Sequence, residues 1–135
     1  MGDLTNRLSR YEFECACGCG QNTIDYELPF VLEDCADYFK NLFSQADRIK
    51  IKINSGNRCL SHNRKIGSKD DSQHVKSRAA DFYLIMLVSG ESQHINDDLV
   101  ASYLEEKHKN KYGIGRYIGR THIDTRLTAA RWDYR

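Results

Sequence analysis

The chain has 135 residues, 40% of them hydrophobic and 29% charged, with 20 Lys and Arg against 19 Asp and Glu. That length holds one domain with a sizeable core and is short for two, and the composition is globular rather than disordered. A net charge of +1 gives no electrostatic case for a nucleic-acid partner, and no apolar run reaches the length of a membrane-spanning helix.

Residues 1–14 are polar, with Tyr11 and Phe13 as expected anchors. Met1-Gly2-Asp3-Leu4 carries no apolar signal segment, so the expectation is synthesis in the cytoplasm without a signal peptide. Cys15-Ala16-Cys17-Gly18-Cys19-Gly20 comes next, within a total of five cysteines. An odd count leaves at least one thiol unpaired or bound to something. Cysteines at every second residue depart from the two-residue gap of zinc knuckles and ribbons. A structural zinc here needs ligands from elsewhere, with Cys35, Cys59 and His62 as candidates; a disulfide or free thiols fit the spacing equally well.

Leu28-Pro29 opens a helix, since proline is tolerated in the first turn. Val31, Leu32, Cys35, Phe39, Leu42 and Phe43 recur at three- and four-residue spacing and form its packing face. Arg48 to Asn54 alternates strictly and reads as a strand with one wet face, closed by the turn Ser55-Gly56-Asn57. Leu60 to Ile66 is a short helix, and Gly67 to Ser72 a polar loop. Phe82 to Val88 is the most apolar run and the expected central strand, ended by a turn at Ser89 to Ser92. Asn96 caps a helix to about Lys109, with Leu99, Val100, Tyr103 and Leu104 facing inward. The dense basic patch Lys107 to Lys111 marks its solvated end, and His94 and His108 flank it as solvated histidines. Tyr112 to Ile118 and Thr121 to Arg126 are strands joined by Gly119-Arg120 into a hairpin. The ordering predicts an α+β fold with a small, mostly antiparallel sheet and flanking helices.

The chemistry concentrates in Ser72 to Asp81 and in Thr121 to Asp124. His74, Asp81 and His122 are ligand types of a hydrolytic zinc site, with three protein ligands and a fourth position for water. Asp81 immediately precedes the apolar strand, a costly place for a carboxylate unless a cation holds it. The bland alternative makes Asp81 a loop cap and His74 a surface histidine. His122 and Asp124 lie two apart on a strand and share a face, so Asp124 is placed to orient His122, to contact a bound water or to act as general base. A solvent-exposed polar face is the alternative there.

Ser72-Gln73-His74 through Ala79-Ala80-Asp81 resembles the Ser-x-His-x-x-Gly-x-Ala-x-Asp motif of zinc D-alanyl-D-alanine peptidases and phage murein endopeptidases. Ile53 to Cys59 with Asn63 resembles that family's Ser-Gly-Tyr-Arg segment and the asparagine after it. Gly113-Ile114-Gly115-Arg116-Tyr117, Thr121-His122-Ile123-Asp124 and Arg131-Trp132 resemble its C-terminal elements, and the Cys-x-Cys-Gly-Cys-Gly opening occurs in phage-encoded members. The resemblance implies the fold shared with the hedgehog signalling domain. It implies one zinc ion held by His74, Asp81 and His122, with Arg58 in the active site. Asp124 is then the best-placed general base and Tyr117 a second contributor. Two positions depart from the pattern: Ser77 stands where the family usually has glycine, and Asn57 replaces a tyrosine beside Arg58, a change expected to alter a substrate wall.

By that resemblance the expected protein is a monomeric zinc peptidase cutting peptide stems or cross-links of bacterial peptidoglycan. A phage or prophage lysis enzyme of this kind reaches the periplasm or wall after release from the cytoplasm, or with a virion, and inserts into no membrane. The first rival is a non-catalytic zinc domain of the same fold that binds wall peptide. The second is a cysteine-rich zinc module built from Cys15, Cys17, Cys19, Cys35 and Cys59.

Overall fold

The computed structural model describes residues 2–135. After a short 3-10 turn at Arg10–Phe13, the elements run α1 (Glu27–Leu42), β1 (Arg48–Ser55), α2 (Leu60–Lys65), β2 (Ala79–Val88), β3 (Glu91–His94), α3 (Asp97–Lys107), β4 (Gly113–Tyr117), β5 (Arg120–Asp124) and β6 (Ala130–Asp133). The six strands form one sheet in the order β1-β2-β5-β4-β6, antiparallel except for the parallel β4–β6 pair, and β3 pairs with β2. This is the α+β arrangement expected from the sequence.

Strand β2 is the spine. It pairs with β1 along one edge, while β5 takes the first half of the other edge and β3 the second half. Alternation then separates the two faces of the sheet. Ala80, Ile123 and Ile114 are cross-strand partners in one row and fully buried. With Phe82, Leu84, Ile49 and Ile51 they meet Leu28, Leu32 and Phe39 of α1 and Val100 and Leu104 of α3 in one core cluster. Truncating a fully buried residue such as Ile123 to alanine costs about 2–5 kcal/mol. The other face of the same strands is free to carry polar chemistry.

Several elements differ from expectation for local reasons. β2 begins at Ala79, so Asp81 is its third residue rather than its approach. β3 falls where the sequence predicts a turn: Glu91-Ser92-Gln93-His94 is exposed at every position, so no apolar alternation marks it. Its His94 is tethered, stacking on Tyr83 and bonding Asp97 at 3.0 Å. β6 is a four-residue edge strand too short for periodicity to register. Of the two expected N-terminal anchors, Phe13 is fully buried whereas Tyr11 is 71% exposed. Leu99 and Leu42 are half exposed, whereas Ala101 and Ala36, on the same two helices, are fully buried. His108 is half-buried at the end of α3, and its Nε2 has no partner.

Candidate metal centre

A single row of residues crosses the polar face of the sheet. Ser55 pairs with Asp81, Asp81 with His122, His122 with Gly115, and Gly115 with Trp132. Directly opposed residues project to the same side, so strand register alone brings Asp81 and His122 together. A one-residue slip of β5 would turn His122 into the core. The row also explains the Gly-x-Gly of β4. A Cβ on Gly115 would collide with the Trp132 indole, and one on Gly113 would collide with the Asp124 carboxylate and lie 2.7 Å from Arg126 Nε.

His74 arrives from the loop before β2, and its backbone is cross-tied to the segment after β1. The Arg58 amide donates to the His74 carbonyl at 3.1 Å, and His74 Nδ1 donates to the Gly56 carbonyl at 2.8 Å. A carbonyl only accepts, so Nδ1 carries a proton, and Nε2 faces Asp81, 3.4 Å from its Oδ2. On the opposite side His122 Nε2 bonds Asp124 Oδ2 at 2.8 Å, and His122 Nδ1 lies 2.9 Å from Asp81 Oδ1. All three side chains are buried. His74, Asp81 and His122 thus bring one donor atom each to within 4.8 Å of one another.

The electrostatics follow from that crowding. Burial alone would raise the Asp81 carboxyl, but the hydrogen bonds and charges of His122 and His74 hold it well below the usual carboxylate range. Burial likewise works against a charged His122, and the carboxylates of Asp124 and Asp81 overcome it and raise its pKa. A proton on His122 Nδ1 bridges it to Asp81, in the place a cation would take. Two nitrogens and a carboxylate, each backed by a fixed partner, are the donor set of a catalytic zinc site, and the residues present fit that ion.

Asp124 occupies a different position from that of a base facing substrate. It is fully buried and absent from the cleft wall. Its oxygens accept from His122, from the Gly113 amide at 3.1 Å and from Arg126 Nε and Nη2 at 2.7 and 2.8 Å. Burial would raise its pKa, but His122 and Arg126 hold it well below the usual range. The carboxylates on the wall of the cleft, about 570 Å³ in volume, are Asp81 and Asp71. Sequence reasoning does not single out Asp71, whose one signal is its place in the polar loop before His74.

Arg58 and Tyr117 both line that cleft. Arg58 Nε donates to Ser55 Oγ at 3.2 Å, Nη1 to Asn63 Oδ1 at 3.2 Å, and Nη2 stands 3.6 Å from Asp81 Oδ2. Asn63, fully buried, in turn donates to the Lys69 carbonyl at 2.8 Å and so fixes the loop that forms one wall. The Tyr117 hydroxyl accepts from Trp132 Nε1 at 2.8 Å, which leaves its own proton free to donate. Lys69, Arg120 and Arg126 add cationic groups to the rim.

The two departures from the family pattern touch each other. Ser77 has φ +62°, the left-handed conformation that favours glycine. Its hydroxyl accepts from Asn57 Nδ2 at 2.5 Å and bonds Thr23 Oγ1 at 2.8 Å. Asn57 is 1% exposed and also accepts from Gln21 Nε2. It is absent from the cleft wall, so the side chain in the tyrosine's place faces no substrate space there.

Two ligand-type side chains on the sheet, a third on the loop before β2, an open cleft and an adjacent arginine are the arrangement that a hydrolytic metal centre requires. The sequence matches the peptidase M15 family over residues 6–124, and the chain belongs to that family of zinc-dependent metallopeptidases. No curated protein and no solved structure gives a significant match. Among the described residues no helix is long and apolar enough to cross a membrane.

Proposed function

We propose that the protein is a zinc peptidase that cleaves peptide stems or cross-links of bacterial peptidoglycan, acting in the wall compartment as a phage or prophage lysis enzyme does. The observation carrying this reading is the convergence of His74 Nε2, the Asp81 carboxylate and His122 Nδ1 beside a cleft whose wall carries Arg58, Lys69, Arg120 and Arg126. Wall peptides are rich in free carboxylates, and a basic cleft with a bidentate-capable arginine suits them.

Zinc held by His74, Asp81 and His122 would lower the pKa of a bound water toward neutrality and polarise the scissile carbonyl. The chain's own groups do the rest. Arg58, anchored on Ser55 and Asn63, presents its guanidinium to an oxyanion or a substrate carboxylate. Tyr117 offers a hydroxyl proton to the same space. Asp124, clamped by Arg126, holds the tautomer and orientation of His122; it is a positioning residue. The proton acceptor is then sought on the wall, where Asp71 is the carboxylate outside the ligand set.

A second reading has one observation in its favour: the burial of Asp124 removes the best-placed base, as a zinc domain that only binds wall peptide would tolerate. Digestion of defined muropeptides, read by mass spectrometry, separates the two and identifies the bond. Turnover by the wild type and loss to background in His74→Ala and His122→Ala is the expected result. Wild-type turnover without bound zinc would overturn the assignment, and zinc binding without any turnover would favour the binding domain.

A further inference from the structure

We propose that Cys15, Cys17, Cys19 and Cys59 form a second metal site, a closed four-thiolate zinc centre that staples the N-terminal loop to the segment carrying Arg58. Their four sulfurs lie within 4.8 Å of one another. The Cys15–Cys17, Cys15–Cys59 and Cys17–Cys59 separations are 3.5, 3.8 and 3.7 Å. A tetrahedron with zinc–sulfur bonds of about 2.3 Å has edges of about 3.8 Å, so these thiols already stand at the spacing such an ion imposes.

The loop is shaped for it. Gly18 and Gly20 have φ of +83° and +87°, conformations that any other residue adopts only under strain. The Gly18 amide turns back onto the Cys15 carbonyl at 3.2 Å, and the Cys15 amide closes the loop onto the Gln21 carbonyl at 2.8 Å. That fold gathers three cysteines whose linear spacing matches no zinc knuckle. The fourth comes from a distant part of the chain, where Cys59 caps α2. Amide donors address the sulfurs: Cys59 N–H on Cys15 Sγ and His62 N–H on Cys59 Sγ, each at 3.4 Å. Such N–H contacts to sulfur are a recurrent outer shell of thiolate metal sites. The remaining cysteine, Cys35, is fully buried in α1, which accounts for the odd count as four ligands and one core thiol.

Four soft donors and no open position make this a structural centre, not a catalytic one. Its effect on the cleft runs through the backbone: Cys59 follows Arg58, and Gly56, three residues before it, supplies the carbonyl that orients His74. The two sites share no ligand, so the cysteine centre stands or falls independently of the peptidase reading.

Metal content by mass spectrometry tests it on protein purified under reducing conditions. The wild type should carry two equivalents of zinc, and His74→Ala/His122→Ala and Cys17→Ser/Cys19→Ser one each. Cys17 and Cys19 are exposed, so the serine pair spares the core. On wild-type protein, four thiols should resist alkylation until a strong chelator is added. Cobalt reconstituted into the His74→Ala/His122→Ala variant should give an intense sulfur-to-metal charge-transfer band. A wild type holding one zinc that the serine pair retains, a disulfide among these four cysteines, or iron in place of zinc would each overturn the proposal.

Discussion

The His74–Asp81–His122 cluster and the four-cysteine cluster solve the same placement problem with different materials. The first sets two of its three side chains in one register row of a paired sheet, with mixed nitrogen and oxygen donors and a cleft above them. The second gathers three of its four donors from a glycine-turned loop of five residues and leaves no side open. Strands hold reacting groups to fractions of an ångström because every neighbour is hydrogen-bonded; a loop needs the ion itself to hold it. The difference predicts that the sheet cluster keeps its geometry without metal and that the cysteine loop loosens.

At the open site, substitutions separate the residues that act from those that only position. Arg58→Ala should lower kcat by roughly 10²–10³-fold, the scale of losing one preorganised oxyanion donor, with zinc content unchanged; a pure KM effect would reassign Arg58 to ground-state binding. Asp124→Asn should weaken zinc affinity by about 10–100-fold through His122, measured by chelator competition. Asp71→Asn should leave affinity alone and lower kcat. Loss of kcat in Asp124→Asn at saturating zinc, with Asp71→Asn unaffected, would restore Asp124 as the base.

A smaller effect concerns pH. Asp81 and Asp124 are depressed in the folded protein, so their stabilisation is complete above about pH 4 and is lost as pH falls through their folded values. His122 is raised, so in the metal-free protein its contribution is complete below about pH 6.5 and fades as pH rises through its folded pKa. Urea midpoints of the metal-free protein should therefore peak between those limits, and zinc, which displaces the His122 proton, should move the optimum upward. An optimum unchanged by zinc would rule out this linkage. The smallest effect belongs to Ser77→Gly. Relief of the left-handed backbone and loss of the Asn57 contact oppose each other, each on the order of 1 kcal/mol, so the thermal midpoint should shift little.

Much of the fold and the site was legible because it is written in short-range pattern. Lys50-Ile51-Lys52-Ile53 declares a strand, Asn96 caps its helix through bonds to the Asp98 and Leu99 amides, and His-x-Asp places two side chains on one face. Asp71, Asp124 and the cysteines needed the third dimension. Asp124 shares a strand face with His122, yet the empty space over Gly113 lets Arg126 fold onto it and seal it from the cleft. Cys59 is remote in sequence from Cys15, and nothing in the intervening chain fixes their separation. Strands β3 and β6 escaped because four-residue pairings with no fully buried position leave no hydrophobic signature.

The cross-sheet row has a kinetic meaning as well. Ser55, Asp81, His122 and Trp132 come from strands spread between Arg48 and Asp133 and meet only after four separate pairings have closed. Apart from the β4–β5 hairpin these pairings are non-local, and such contacts form late because each must first meet its loop-closure entropy. The unfolded chain therefore holds no assembled His74–Asp81–His122 site, and zinc at that site would bind the folded protein. By mass action it adds about 2.7 kcal/mol at a free concentration about one hundred times its dissociation constant. That stabilisation would fall on the unfolding rate, so zinc bound there should lengthen the lifetime of the native state without hastening its arrival, as unfolding rates measured with and without zinc would show.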